Sequence, residues 1–147
     1  MESIKNSKLQ KKSKHFWKSK FFKKEDASKL HSRMQEILCS GKFSNMEAYQ
    51  EIPLSDLVDT RNVLFIDWYV PSMKLCIELH GVQHYKAVAF GHQSKLDTEL
   101  NFISSKNRDS TKRILLLEAG YLFIEISFKD YAIMDESYLI KKIDEVI

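Results

Sequence analysis

The sequence predicts a mixed α/β fold, in which helices flank a central mixed β-sheet. Three runs rich in β-branched and aromatic residues, at 62–70, 75–80 and 121–127, are typical of strands, and a shorter run lies at 46–53. Apolar residues at helical spacing precede, separate and follow these runs. The predicted order is roughly α-β-β-β-α-β-α, and 147 residues suit one domain built on it.

The first predicted elements are a helix and a short strand. Glu25 and Asp26 open the helical pattern, because acidic side chains are favourable at a helix start. Gly41 is the predicted end of this helix. Its apolar residues fall at helical spacing: Leu30, Met34, Ile37 and Leu38. The run at 46–53 then forms the short strand, and residues 54–61 form a polar loop.

A hairpin and three further elements complete the predicted fold. In chain order they are a strand at 62–70, a turn at 71–74, a strand at 75–80 ended by Gly81, a loop at 86–94, a helix within 95–119, a strand at 121–127 after Gly120, and a closing helix at 135–146. The hairpin makes the first two of these strands antiparallel neighbours, so their residues face one another in pairs.

The hairpin register predicts which side chains meet. A four-residue loop at 71–74 places Val70 opposite Leu75, and the same register places Asp67 opposite Glu78. Because side chains alternate along a strand, these two acids share one face with Phe65, Tyr69, Cys76 and His80. The opposite face carries an apolar set suited to burial: Leu64, Ile66, Trp68, Leu75, Ile77 and Leu79.

The net charge of +3 conceals a basic N-terminus. Residues 1–24 hold nine lysines and one acid, a net of +8, and the remainder holds 14 basic and 19 acidic residues, a net of −5. We therefore expect a basic arm at 1–24 before a domain at 25–147. Phe16 and Trp17 lie among the lysines, a pattern that favours phosphate contact and base stacking. The expected phosphate contacts are Lys11, Lys12, Lys14, Lys18 and Lys20. The alternative is a solvated tail.

Other features bound the class of protein. No apolar run approaches the ~20 residues that a membrane span needs, and the lysine-rich start lacks a secretory pattern. Cys39 and Cys76 show no spacing typical of a zinc site or a disulfide framework. We therefore expect an intracellular protein without membrane contact, in the cytoplasm of a bacterial or virus-infected cell.

The pair formed by Asp67 and Glu78 predicts a metal site. Side chains directly opposite each other in a sheet have Cβ atoms roughly 4.5–5.5 Å apart. Two carboxylates at that distance repel each other unless a cation joins them, and a divalent metal with oxygen ligands is the natural cation. The alternative is a solvated or salt-bridged pair. His80 lies two residues after Glu78 and so shares its face.

These residues carry a resemblance to a known superfamily. Asp67, the run Glu78-x-His80-Gly81-x-Gln83-His84-Tyr85 and the group Arg108-Asp109-x-x-Lys112 precede a Gly-Tyr pair at 120–121. Together they resemble the PD-(D/E)XK nucleases, and most of all the Vsr-like branch of very-short-patch repair and phage homing endonucleases. The resemblance implies a restriction-endonuclease-like fold and magnesium-dependent phosphodiester hydrolysis.

The resemblance also implies residue roles. Asp67 and Glu78 would bind Mg²⁺, and His80, His84 and Asp109 would complete the catalytic set. His80 stands where the superfamily usually has lysine, and His31 matches the position of a glutamate on the first helix. Imidazole suits transition metals better than Mg²⁺, so Mn²⁺ is an alternative. His31 and Gln83 are expected accessory residues, and Lys112 and Arg113 are further expected phosphate contacts.

The function expected from these residues is a metal-dependent DNA endonuclease. It would nick DNA, recognise a DNA structure such as a junction, or act as a homing enzyme, and a homodimer is expected if both strands are cut. A catalytically inactive nucleic-acid-binding module on the same fold is the main alternative, favoured by the missing lysine and helix glutamate. A protein-interaction or inhibitor role on a reused scaffold is a third reading.

Overall fold

A five-stranded mixed sheet forms the centre of the computed structural model, which describes residues 16–82, 85 and 94–147. The strands lie side by side in chain order: β1 (Lys18–Ser19), β2 (Tyr49–Pro53), β3 (Phe65–Val70), β4 (Leu75–His80) and β5 (Leu122–Ser127). Neighbouring strands are antiparallel from β1 to β4, and β5 runs parallel to β4. The mixed sheet confirms the predicted fold class.

Three α-helices lie within the described residues. They are α1 (Lys29–Leu38), α2 (Lys95–Glu118) and α3 (Glu136–Asp144). A parallel strand pair needs a crossover connection, and α2 lies within the connection from β4 to β5. The observed order matches the predicted one with the short strand β1 added in front. Among the described residues, no helix combines the length and the apolar character needed to cross a bilayer.

The first helix starts later in the chain than predicted. The helix begins at Lys29 because the Ser28 side chain accepts a hydrogen bond from the His31 backbone N–H at 3.1 Å and so caps the first turn. The predicted start at Glu25 and Asp26 is therefore wrong, and Asp26 has a φ of 55° that no α-helix contains. Most other boundaries lie within a few residues of prediction, whereas residues 86–93 of the predicted loop lie outside the described residues.

Both faces of the sheet are buried. Helices α1 and α3 cover one face, where the core includes Trp68, Val70, Leu75, Ile77 and Ile126. The second core combines Ile66, Tyr69 and Cys76 with Leu116 of α2. The predicted apolar face is confirmed at Trp68, Leu75 and Ile77. Ile66 instead belongs to the second core, and the expectation that the site face is separate from the core is wrong. The reason is the crossover helix, which covers the face that carries the candidate site.

Residues 16–24 pack on the sheet rather than extending from it. Trp17 meets the rings of Tyr49 and Tyr69 edge-on, at centroid distances of 5.5 and 5.8 Å. Lys20 is buried, and its Nζ donates to the carbonyls of Leu38, Phe43, Ser44 and Met46 at 2.7–3.1 Å. The prediction that Lys20 contacts phosphate is therefore wrong, because its ammonium satisfies backbone carbonyls where α1 ends. Lys11, Lys12 and Lys14 lie outside the described residues.

Candidate metal centre

The hairpin register holds Asp67 beside the end of β4. Val70 pairs with Leu75 as predicted, and the same register continues to Trp68 and Ile77. The next residue of β3, Asp67, contacts β4 through its side chain. Its Oδ2 accepts a hydrogen bond from the backbone N–H of Leu79 at 2.7 Å. This hydrogen bond fixes the carboxylate of Asp67 next to the segment that carries Glu78.

Glu78 is a buried carboxylate with one oxygen in contact with a cation. Its side chain is 4% exposed, and Oε2 accepts from Lys112 Nζ at 3.0 Å. The other oxygen, Oε1, is buried and has no hydrogen-bond partner among the described residues. A buried acceptor without a partner costs about 1–3 kcal/mol, and more when it is charged. Oε1 is thus placed to accept a cation or a proton.

Glu78, His80 and Asp109 form a group that could hold a metal ion. One potential ligand atom from each of the three lies within 4.8 Å of the others. It is the one group of three or more such side chains found in the described part of the chain. Two carboxylate oxygens and an imidazole nitrogen fit a divalent ion, and the imidazole favours Mn²⁺ and other transition metals over Mg²⁺.

The electrostatics of the group explain the protonation of Glu78. Burial is the main cause of a rise in the pKa of this carboxyl to about 8, and the charges of Asp67 and Asp109 contribute to the same rise. The ammonium of Lys112 opposes this change but does not cancel it. Without a metal, Glu78 therefore binds a proton in the neutral range, whereas a bound dication would favour its charged form.

Helix α2 supplies Asp109 and Lys112 from one face. The two residues are three apart, so they lie on the same side of the helix, with Lys112 Nζ 4.0 Å from Asp109 Oδ1. Lys112 Nζ also donates to the Phe65 backbone carbonyl at 3.2 Å. The lysine thus links α2 to β3 and β4 and serves as an internal counter-ion for the acids.

The sequence reasoning missed Glu125 on β5. The parallel register pairs this residue with Glu78 on β4. Its Oε2 lies 3.5 Å from His80 Nε2, and its Oε1 accepts from Arg113 at 3.4 Å. Glu125 is the single acid in the strand Leu-Phe-Ile-Glu-Ile-Ser, which is the signal that could have identified it.

The predicted metal ligands differ from the group that the structure brings together. The prediction paired Asp67 with Glu78, whereas Glu78 groups with His80 and Asp109. Asp67 is outside this group. One of its oxygens accepts the Leu79 N–H, although its charge still raises the pKa of Glu78.

His31 lies away from the candidate centre. Its ring stacks on Trp68 at a centroid distance of 4.8 Å, and Nε2 lies 2.8 Å from Gln50 Oε1. The side chain is buried between α1 and the sheet. Its position indicates a core role, so the accessory site role expected for His31 is wrong. Gln83 and His84 lie outside the described residues.

An exposed aromatic ring with two lysines borders His80. The ring centroid of Tyr85 lies 6.2 Å from that of His80, and Tyr85 is 40% exposed. The ammonium groups of Lys106 and Lys129 lie 5.2 and 5.3 Å from the centre of the same ring. Neither lysine is among the predicted phosphate contacts. Lys18, which is, forms an exposed ion pair with Glu51 at 3.1 Å.

Asp67 also borders a cleft of about 480 Å³. Aromatic rings and acidic side chains share its wall, which consists of Phe16, Trp17, Lys18, Glu51, Pro53, Asp56, Phe65 and Asp67. Phe16 and Phe65 are 82% and 51% exposed, so both rings are available for stacking. Exposed aromatic rings therefore lie beside His80, where Tyr85 is placed, and in the cleft that Asp67 borders, where Phe16 and Phe65 are placed.

Comparison of the chain with protein-family models, with curated proteins and with solved structures found no significant match. The fold is a mixed α/β arrangement with a five-stranded mixed sheet. On its face covered by α2 lies a group of acidic residues and a histidine that could hold a metal ion. The interpretation of this group follows from its own geometry.

Proposed function

We propose that the protein is a metal-dependent endonuclease that hydrolyses phosphodiester bonds of DNA at the Glu78, His80 and Asp109 group. The observation that carries the proposal is the buried carboxylate of Glu78. One of its oxygens has no hydrogen-bond partner among the described residues, and it lies beside two other metal-ligand side chains. Such an arrangement is costly for stability unless a cation binds.

The donor set defines what the site can hold. Glu78 and Asp109 would supply carboxylate oxygens to one divalent ion, and His80 would supply an imidazole nitrogen. When bound, the ion would supply positive charge that neutralises a phosphate and promotes ionisation of a water. Mn²⁺ matches the mixed donor set better than Mg²⁺.

The surrounding side chains would position the substrate and orient the ligands. Asp67 holds the end of β4 through the Leu79 N–H, which keeps Glu78 in place. Glu125 lies close enough to His80 to orient its imidazole, as carboxylates do for metal-binding histidines. The Lys112 ammonium lies within the site and would donate to a phosphate oxygen.

DNA is the proposed substrate because cationic and aromatic groups surround the acids. Lys106 and Lys129 flank the exposed ring of Tyr85 next to His80, a combination that suits phosphates and an unstacked base. The lysines at 1–14 would add attraction for phosphate that is independent of base sequence. The resemblance of the Glu78 and Asp109 motifs to Vsr-like PD-(D/E)XK endonucleases supports the same assignment.

A second candidate function is a nucleic-acid-binding module without catalysis. The observation that favours it is the ion pair between Lys112 and Glu78, since the ammonium neutralises the carboxylate that a metal would use. The core position of His31, where the superfamily often has a glutamate, points the same way. In this case the protein would bind DNA through its lysines, and the acids would be structural.

A cleavage assay distinguishes the two candidates. Supercoiled plasmid and branched DNA are incubated with the protein in Mg²⁺, Mn²⁺ or EDTA, beside Glu78→Gln and the exposed control Glu36→Gln. Metal-dependent cleavage that disappears in Glu78→Gln and persists in Glu36→Gln supports the nuclease. Absence of cleavage with every metal, together with salt-sensitive DNA binding, contradicts it and favours the binding module.

A further inference from the structure

Helix α2 carries a row of exposed apolar side chains that runs along its whole length. The five members are each more than half exposed: Leu96 at 65%, Leu100 at 51%, Ile103 at 54%, Ile114 at 52% and Leu117 at 54%. Soluble monomers seldom expose several large apolar side chains on one face of a helix, and such faces mark interaction surfaces.

The row follows a heptad pattern. Successive members are separated by alternating steps of four and three residues: Leu96, Leu100, Ile103, Asn107, Ser110, Ile114 and Leu117. Steps of this kind place one side chain per half heptad on a single seam, the arrangement by which two helices form a coiled coil. We call these seven residues the α2 seam. It extends over 22 residues, or about 32 Å of helix.

The seam lies on the side of α2 opposite the candidate metal centre. Asp109, Lys112 and Leu116 occupy the remaining helical face, where Leu116 packs into the second core and Lys112 contacts Glu78. A partner on the seam would therefore leave the centre uncovered. Within the described ranges, no member of either core belongs to the seam, and its apolar side chains are exposed.

The order of residues along the seam fits a parallel second copy of the same helix. In a parallel, in-register pair each seam residue faces the same residue of the other copy. Asn107 then faces Asn107 and Ser110 faces Ser110, and apolar pairs lie on either side of these two polar layers. A single polar layer with asparagine specifies register in natural coiled coils. An antiparallel partner can also match the layers, because it can set Asn107 against Ser110, Ile103 against Ile114 and Leu100 against Leu117. The polar layers therefore favour pairing with a second copy but do not choose the orientation.

Charge along the edges of the seam agrees with the parallel arrangement. Residues that flank the seam meet across a parallel pair when they are five positions apart in sequence, which brings Arg113 of one copy to Glu118 of the other on both sides. The remaining flanking pairs join Glu99 to Ser104 and Lys106 to Thr111, so no like charges meet. An antiparallel pair with matched layers would instead place Lys106 against Arg113 and Asp97 against Glu118, so like charges would meet at both edges of the seam.

We propose that the protein forms a homodimer in which the α2 seam packs against the same seam of a second copy, parallel and in register. The interface stands whether or not the protein is a nuclease, because it shares no side chain with the candidate metal centre. Three heptads are near the lower limit for a stable coiled coil, so we expect dissociation in the micromolar range. The two candidate centres would face away from each other.

The oligomeric state of the full chain tests the interface. Sedimentation equilibrium at about 100 μM should give twice the chain mass of 17.3 kDa, falling toward the monomer on dilution. Ile103→Glu should shift the protein to monomer, and Asn101→Glu, an exposed position outside the seam, should not. Circular dichroism checks that both variants remain folded. A monomeric parent, or a dimer that Ile103→Glu leaves intact, would overturn the proposal.

Disulfide cross-linking tests the orientation. In the parallel pair the two Ser110 positions face each other, so Ser110→Cys should form an intermolecular disulfide under mild oxidation. Asn101→Cys is the matched control and should not cross-link. Peptide mapping separates this bond from any involving the native Cys39 and Cys76. A dimer in which Ser110→Cys fails to cross-link would contradict the parallel register.

Discussion

Lys112 on α2 places its ammonium 3.0 Å from Oε2 of Glu78 on β4, although 34 residues separate the two in sequence. The contact makes the lysine the internal counter-ion of a carboxylate whose other oxygen lacks a hydrogen-bond partner in the described part of the chain. Two opposing effects follow from it. The ammonium stabilises the charged form of Glu78, and it repels any metal ion that approaches the same group.

Replacement of the counter-ion should therefore increase metal affinity. In Lys112→Met the repulsion is removed and Oε2 is released, so Mn²⁺ should bind about tenfold or more tightly, a difference of ~1.4 kcal/mol. Isothermal titration calorimetry measures the affinity, with Lys95→Met on the exposed start of α2 as control. Equal affinities in the parent and in Lys112→Met would show that the lysine does not compete with the metal.

Stability without metal should depend on the protonation of Glu78. Its pKa of about 8 in the folded protein exceeds the ordinary value of 4.5, so folding favours the protonated form. The stability from this group is complete below pH 4.5 and is lost as pH rises toward 8 and beyond. Glutamine cannot ionise, so Glu78→Gln should not lose stability as the pH rises. We expect this variant to raise the midpoint of thermal unfolding at pH 8 by about 3 °C or more, with little change at pH 4.5.

Thermal unfolding in EDTA between pH 4.5 and 9 measures this effect. Glu36→Gln, which changes an exposed carboxylate of α1, is the control and should follow the parent at every pH. A parent and a Glu78→Gln variant with parallel pH profiles would mean that Glu78 has the same pKa in the folded and the unfolded chain.

Metal binding should stabilise the parent protein. A ligand at 100 times its dissociation constant adds about 2.7 kcal/mol, so saturating Mn²⁺ should raise the unfolding midpoint by several degrees. Glu78→Gln and Asp109→Asn each remove a charged ligand of the group and should abolish most of this increase. Mg²⁺ should give a smaller increase because His80 contributes a nitrogen. An unchanged midpoint in the parent at millimolar Mn²⁺ would contradict the site.

The buried ammonium of Lys20 should be important for folding. Lys20→Met leaves four backbone carbonyls without their donor, so we expect a loss of about 2 kcal/mol or more in the free energy of unfolding. Lys18→Met, two residues away, removes an exposed ion pair with Glu51 and should cost about 1 kcal/mol or less. Urea unfolding measures the free energy of unfolding of both variants. Equal losses in Lys20→Met and Lys18→Met would show that the Lys20 hydrogen bonds do not contribute to stability.

The sequence by itself determined the elements of the hairpin and their register. A turn of four residues between two strands leaves one register that buries both apolar sets, so Val70 had to pair with Leu75. The length of α2 and its end near Gly120 also followed from local chemistry, since a glycine readily adopts the positive φ found there. The seam on α2 is likewise readable from spacing alone, but the sequence does not say whether that face is covered.

The tertiary structure decided which side chains meet. Glu125 reaches His80 because β5 lies parallel to β4, and Asp109 and Lys112 reach Glu78 because the crossover helix lies on that face of the sheet. No local pattern fixes these contacts, since they join segments more than 30 residues apart. His31 and Lys20, which the sequence suggested for a site and for phosphate, entered the interior because nearby oxygen atoms could satisfy them there. Burial decides such roles, and burial is a property of the whole fold.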